Sequence, residues 1–519
     1  MATIQSLISA SSSQPAIFIP GASRPVSFAE LNSQISIFRS FLASLNLPPQ
    51  SAIAIALPNT LEFVIAFLAA TYSGFIAAPL NPALKQTEFE FYLTDLAAPV
   101  VFIPANGGDT RAVIRATETV GKQASGQAGV KIFTAVFDKS GLAFHGLDGN
   151  RVPVKNVKTT VSSKDDVALV LHTSGTTGRP KVVPLTHENL TTSMKNIVST
   201  YNFTAKDRGL LVMPLFHVHG LLAGFLAPLS VGAAVIVPSR FSAHTFWKDF
   251  VQYKANWYTA VPTIHQILLK NPPPNPKPEI RFIRSCSSAL APSTFHQLEK
   301  TFNAPVIEAY AMTEASHQMT SNDLPPGQRK PGSVGHGQGV EIRILDADGN
   351  EVPQGREGEI SIRGKNVTKG YRNNKAANES SFTKDNFFRT GDQGKLDKDG
   401  YVYITGRIKE LINRGGEKIS PVELDAVLLE HPAVSEAVSF AVPDELYGQE
   451  VHAAVVLKQD AKATEADIKN FLAERVAKFK VPKKVYFTDI MPKTATGKIQ
   501  RKNVSEKFFG TGEKLKAKL

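Results

Sequence analysis

The chain has 519 residues, 42% hydrophobic and 20% charged, with a net charge of +12. That length exceeds one ordinary core and predicts two or more domains, and that composition excludes a disordered or collagen-like chain. A single cysteine, Cys286, excludes an intramolecular disulfide and reads as a small core residue rather than an activated nucleophile.

Much of the charge sits at the end: residues 475–519 carry 13 Lys and Arg against 3 Asp and Glu. A solvated tail, a nucleic-acid surface and a surface for a polyphosphate ligand such as ATP or coenzyme A all fit that excess. No RNA or DNA module signature accompanies it, which favours the polyphosphate. A basic RNA-binding or scaffold protein stays as the non-enzyme alternative. The first twenty residues hold no Lys or Arg and no long apolar run, so no secretory signal is expected. Leu221 to Pro238 is the nearest approach to a membrane span. Pro228, Ser230 and Gly232 interrupt it, and it reads as a buried helix, a turn and a strand.

In chain order, residues 28–47 pattern as an amphipathic helix through Phe28, Leu31, Ile35, Phe38, Leu42 and Leu45. AIAIALPNT predicts a strand ending in a turn, PNTLEFVIAFLAATYSG a helix closed by Gly74, and FIAAPLNP and PVVFIP two more strands. This alternation predicts parallel α/β layers. Residues 105–165 are less regular, with one plausible strand in KIFTAVF. Then comes LVLHTSGTTGRPKVVPLTHENL (169–190), a strand end, a Ser/Thr/Gly loop, and a helix start after a few apolar residues. The loop from Thr173 through Ser174, Gly175, Thr176, Thr177 and Gly178 offers hydroxyls and free N–H groups, with Lys181 in reach. That chemistry suits phosphate oxygens, although the loop is not of the GxxxxGK[ST] type.

The alternation continues through WYTAVPTIHQILL and RFIRSCSSALAP, a strand, turn and helix. After about residue 330 the pattern becomes β-rich, and from Ser420 it reads helix, strand, strand, helix. AYAMTEASHQM (309–319) puts Tyr310, Thr313 and Glu314 on one strand-to-turn segment. They offer a stacking face, a hydroxyl for phosphate and a carboxylate for Mg²⁺. FFRTGDQGKLDKDGYVYITGRIKE supplies Asp392 and Arg407, and PKTATGKIQRK supplies Lys498 in a second Gly/Thr-rich loop.

Taken together, SGTTGRPK, YAMTE, RTGD with GRIKE, and PKTATGK resemble the acyl-adenylate-forming superfamily of acyl-CoA synthetases, luciferases and adenylation domains. The likeness runs over nearly the whole chain. It implies an α/β fold: a large N-terminal domain of α/β layers with a β-barrel subdomain (1–408) and a small mobile α+β C-terminal domain (409–519). It implies ATP, Mg²⁺ and coenzyme A. Carried over, Thr173 to Lys181 hold the triphosphate, Tyr310 stacks on adenine, Thr313 contacts phosphate, and Glu314 holds Mg²⁺. Asp392 binds the ribose with Arg407, Lys409 is the hinge, and Lys498 reaches into the adenylation site. Gly415 and Gly416 would face coenzyme A, or form a hairpin turn.

The acid is chosen elsewhere. Ala311 stands where the superfamily motif has Gly and should shorten the pocket. His217, His317, Ser287 and Ser288 add polar walls that suit a small dicarboxylate, with Lys498 bridging acid and ATP. His219 is read as structural. HVHG, YAMTEASH and SCSSALAP resemble the oxalyl-CoA synthetase branch of plants and fungi, which implies formation of oxalyl-CoA, AMP and diphosphate from oxalate. The alternatives are a medium-chain or 4-coumarate-like ligase, and a module loading a carrier protein. A luciferase-like oxygenase has no support beyond the fold. The terminal Ala517-Lys518-Leu519 resembles the Ser-Lys-Leu address, implying an import receptor as partner and the peroxisomal matrix, with the cytoplasm as the other location.

Overall fold

A computed structural model describes residues 2–8, 12–105, 109–123, 129–138, 141–154, 160–173, 180–493 and 499–510. Ser174, Gly175, Thr176, Thr177, Gly178, Lys498 and the terminal Ala517-Lys518-Leu519 lie outside the described residues.

Among the described residues, two large sheets carry the N-terminal part. The first has eight strands, with Ile76–Pro79, Ala52–Ile55 and Val100–Ile103 at its parallel centre. These segments are buried at every position. A strand covered on both faces has no solvent side, so its sequence is a continuous apolar run rather than an alternation. The second sheet has nine strands. Its parallel core runs Val306–Met312, Phe282–Cys286, Trp257–Ala260, Arg208–Leu211 and Ala234–Ile236.

The helices start where side chains satisfy their first N–H groups. Ser27 and Glu30 form a capping box for Phe28–Ser44, Thr60 caps Leu61–Tyr72, and Thr186 with Asn189 caps His187–Tyr201. Helix Leu61–Tyr72 is buried from Phe63 to Tyr72, because a helix apolar all round must be enclosed. One apolar cluster joins Ile53 and Val100 of the first sheet, Trp257, Phe282 and Ile307 of the second, and Phe63, Met194 and Phe225 of the helices. Among the described residues, no helix is long and apolar enough to cross a membrane. The Leu221 to Pro238 stretch is instead a π-helix, His219–Leu226, a short helix Ala227–Leu229 and the strand Ala234–Ile236.

Two expectations need correcting. The Ser/Thr/Gly loop does not lead from strand to helix: it links Val167–Thr173 to Lys181–Thr186, antiparallel strands in which Lys181 pairs with Thr173. The helix begins only after that second strand. Where a β-barrel subdomain was expected, Glu341–Leu345, Gly358–Arg363, Phe388–Leu396 and Val402–Arg407 form a four-stranded antiparallel sheet whose two outer strands do not pair.

A fourth sheet begins at Ile412, after the turn Ile408–Glu410. It contains the expected hairpin of Val434–Asp444 and Gly448–Leu457, flanked by helices Pro421–Glu430 and Glu465–Ala473. The short strand Lys484–Phe487 adds to it in parallel and was not anticipated. Arg501 fastens the unit to the turn, with Nε donating to Glu410 at 3.0 Å and Nη1 to Asp425 at 2.6 Å.

Candidate active site

The chemistry gathers where strand Val306–Met312 runs out of the second sheet. Tyr310 is buried near its end and its hydroxyl donates to Asp392. Asp392 sits directly across the ladder from Arg407, whose Nε donates to the other carboxylate oxygen at 2.9 Å. The Asp392 side chain is 9% exposed and that of Arg407 is 54% exposed, so the carboxylate faces a wall while the guanidinium faces an opening. Burial and the Asp392 charge push the Tyr310 phenol well above its ordinary pKa, and the same carboxylate holds Arg407 firmly charged. Each Asp392 oxygen keeps acceptor capacity beyond these bonds.

After Met312 the chain makes a 3-10 turn, Thr313–Ala315, which aims Glu314 inward. Its Oε1 accepts from the Tyr371 hydroxyl at 2.9 Å, and burial pushes its carboxyl pKa up. Lys181, first residue of its strand, places Nζ 4.4 Å from the centre of the Tyr371 ring. Burial, then the nearby Lys409 ammonium, lowers the Lys181 pKa, and Glu314 opposes that shift. Arg407 also acts electrostatically on Glu314. Tyr310, Glu314, Asp392, Arg407, Lys181 and Lys409, drawn from distant stretches of sequence, thus form one charged cluster. Thr173 closes the strand opposite Lys181, and Thr313 accepts at its carbonyl from Ser316.

The second group lies at the end of the neighbouring strand, Phe282–Cys286. Ser287 Oγ is 3.1 Å from His219 Nδ1, and His219 Nε2 is 2.6 Å from Thr259 Oγ1. The His219 and His317 rings stack with centroids 5.2 Å apart. His217 is half-buried, and its Nδ1 accepts the His219 backbone N–H at 3.3 Å. Behind this wall Arg284, with no exposed surface, donates to Tyr201, Thr259 and Gln318. Ala311 pairs with Gln318 across the ladder. Ser287 (φ +79°), Ser316 (+51°) and His317 (+93°) occupy left-handed backbone that favours glycine. Such residues cost about 1–3 kcal/mol each and persist where surrounding packing over-determines them.

Not every expected residue joins these groups. Ser288 is exposed, and its hydroxyl donates to the Ser287 carbonyl at 2.9 Å. Gly415 (φ +58°) and Gly416 (φ +98°) form the two-residue turn between Ile412–Arg414 and Glu417–Ile419. Positive φ at both central positions is what such a hairpin requires. Neighbouring Arg414 is engaged by Glu450 at 2.6 Å. Arg284, Thr259, Tyr201, Gln318 and Tyr371 were missed from sequence. One signal was available for Arg284: a charged residue inside the apolar strand RFIRSC demands an internal partner.

Residues 9–372 match the AMP-binding enzyme family, and residues 423–498 match the AMP-binding enzyme C-terminal domain. The chain belongs to the AMP-binding enzyme family. It is 49% identical over 514 residues to an oxalate–CoA ligase of Saccharomyces cerevisiae, covering 95% of this chain and 94% of that protein. An oxalate–CoA ligase of Arabidopsis thaliana is 49% identical over 490 residues, 93% of each chain. The crystal structure of ATP-bound MatB from Rhodopseudomonas palustris superposes with a TM-score of 0.86 at 30% identity, covering 97% of this chain and 98% of that one.

Proposed function

We propose that the protein is an ATP-dependent oxalate–CoA ligase. It activates oxalate as an acyl-adenylate with release of diphosphate, then transfers the oxalyl group to coenzyme A with release of AMP. The observation that carries the substrate is the polar wall of Ser287, His219 and His317 beside Ala311, found in a chain 49% identical to two oxalate–CoA ligases. A long acyl chain prefers apolar walls, whereas a small dianion needs hydrogen-bond donors.

The site suggests a division of labour. Tyr310 stacks on adenine while its hydroxyl steadies Asp392. Asp392 and Arg407 hold the ribose. Lys181, with the loop from Thr173, grips the triphosphate, and Thr313 meets a phosphate oxygen. Among the described residues no cluster of three or more candidate metal ligands occurs. One buried carboxylate, Glu314, still fits Mg²⁺, which takes one or two carboxylates plus substrate phosphates. Once bound there, the ion neutralises phosphate charge. The carboxylate of the acid attacks the α-phosphorus in line, and charge grows on oxygens that Lys181 faces.

Lys498 bridges acid and α-phosphate in this scheme. The same space is needed by the pantetheine arm in the second step, so residues 409–519 act as a mobile domain that turns about Lys409 and carries Lys498 away. The turn of Gly415 and Gly416 is kept as a candidate lining for the coenzyme A path. The terminal Ala517-Lys518-Leu519 supports a peroxisomal address read by an import receptor. Diphosphate release measured over oxalate, octanoate and 4-coumarate tests the substrate: oxalate should be used far better than the other two. A preference for octanoate or 4-coumarate would overturn it.

A further inference from the structure

Arg284 is a fully buried cation. Among the described residues no carboxylate bonds to it: its partners are Tyr201 Oη at 2.8 Å, Thr259 Oγ1 at 3.2 Å, Gln318 Oε1 at 3.2 Å and His219 Nε2 at 3.5 Å, with the Cys286 thiol also in reach. A guanidinium only donates. Thr259 therefore accepts from Arg284 and turns its own hydrogen toward the other close partner, His219 Nε2, at 2.6 Å. His219 Nε2 thus faces two donors, the Thr259 hydroxyl and the guanidinium. A proton on Nε2 would point at a cation, so Nε2 is the acceptor and Nδ1 carries the hydrogen.

That tautomer decides what Ser287 does. His219 Nδ1–H donates to Ser287 Oγ at 3.1 Å, and this is the only hydrogen bond of that oxygen among the described residues. With one of its two lone pairs engaged by that N–H, Ser287 does not give its hydrogen to His219 and can donate it outward from the half-buried end of the strand Phe282–Cys286. In the reverse arrangement Ser287 would give its hydrogen to His219 and present lone pairs to the ligand, which repels an anion.

We infer that Arg284 is a positioning residue for acid recognition: through Thr259 and His219 it fixes Ser287 as a hydrogen-bond donor to a carboxylate of the substrate. The inference rests on the proposed acid–CoA ligase activity and adds how the pocket comes to prefer an anionic second group over a neutral one. Arg284 itself need not touch the acid. Its charge sets the direction of a three-member relay whose last hydroxyl meets the ligand, and the backbone of Ser287 at φ +79° keeps that hydroxyl in place.

The relay is tested by Thr259→Val, which keeps the shape of the side chain and removes its hydroxyl. The KM for oxalate should rise about tenfold, the change that one lost hydrogen bond to a charged group implies, while the KM for ATP stays put. Thr259→Ser should restore it. Added to Ser287→Ala, Thr259→Val should have little further effect, since both act at one hydroxyl. Full additivity, a parallel rise in the ATP KM, or no change in oxalate KM would overturn the inference. Nitrogen-15 spectra of the ligand-free, folded enzyme give a readout that does not depend on the substrate. His219 should show the Nδ1–H tautomer in the wild type and a weaker bias toward it in Thr259→Val, where the Arg284 guanidinium alone still faces Nε2. An Nε2–H tautomer in the wild type overturns the relay. Failure of the wild type to use oxalate, with the tautomer as stated, overturns the substrate reading alone.

Discussion

The two halves of the proposed site, one assigned to the nucleotide and one to the acid, solve opposite problems with neighbouring strands. On the nucleotide side, ionised groups answer one another directly: Arg407 on Asp392, and Lys181 within reach of Glu314. On the acid side one cation, Arg284, is wrapped in neutral oxygens and a ring nitrogen. The first arrangement sets carboxylates among its cations before ligand arrives and offers acceptors to sugar hydroxyls and cations to phosphate. The second holds an unanswered positive charge behind a polar wall, a standing preference for an anion. Burying such a cation costs several kcal/mol before compensation, so the shell of hydrogen bonds around it is obligatory.

The sharpest way to break this division is Lys498→Ala, because Lys498 alone is proposed to serve both halves. Adenylation should fall about a thousandfold, as for loss of an electrostatic stabiliser in the transition state. Thioester formation from preformed acyl-adenylate should be largely spared. Equal loss in both half-reactions, measured by diphosphate release and by thioester formation, would remove the proposed domain rotation. A smaller, one-sided effect is expected from Asp392→Asn. Removing the Asp392 charge takes an acceptor from the proposed ribose site and the partner from Arg407, a loss of about tenfold for one charged hydrogen bond, so kcat/KM for ATP should fall about that much with the oxalate KM unmoved. A matching rise in oxalate KM would show that the halves are not separate.

The smallest effect tests the strand they share. Glu308 lies two residues before Tyr310, and burial pushes its pKa from 4.5 to about 8. Between those values the folded chain holds a proton that the unfolded chain releases. Stability must therefore decline as pH rises through that window. Glu308→Gln should flatten the decline, read as melting temperature against pH from 5 to 8. Parallel curves would exclude Glu308 as its cause.

The half proposed for the nucleotide was largely legible in the sequence. Tyr310, Glu314, Asp392 and Arg407 each sit in a short motif, and the fold brings them into one cluster. The layered α/β pattern was equally plain, because strands buried on both faces announce themselves as apolar runs. The acid half was only partly visible. His317 and Ser287 could be named, but the relay proposed to orient Ser287 starts from Arg284, whose partners lie 83, 65, 25 and 34 residues away. No local window contains that relationship. The hairpin of Thr173 and Lys181 was missed for a related reason: pairing across a loop leaves no mark in the periodicity of either arm. Strand Lys484–Phe487 hid because it is only four residues long and buries just one of them fully, too few for an alternating pattern to stand out.

The shell around Arg284 also governs how such a pocket could change owners over evolutionary time. Replacing Thr259 or Gln318 alone by an apolar residue strips an acceptor from a buried cation, which costs more than the bond itself was worth. Replacing Arg284 alone orphans the groups it feeds. Only a concerted exchange of the cation with its shell leads to a comfortable apolar pocket, so every single-step path crosses a valley. On the role proposed for Arg284, taste for the acid is inherited as a block, and an engineer seeking a different substrate would do well to swap the whole nest at once.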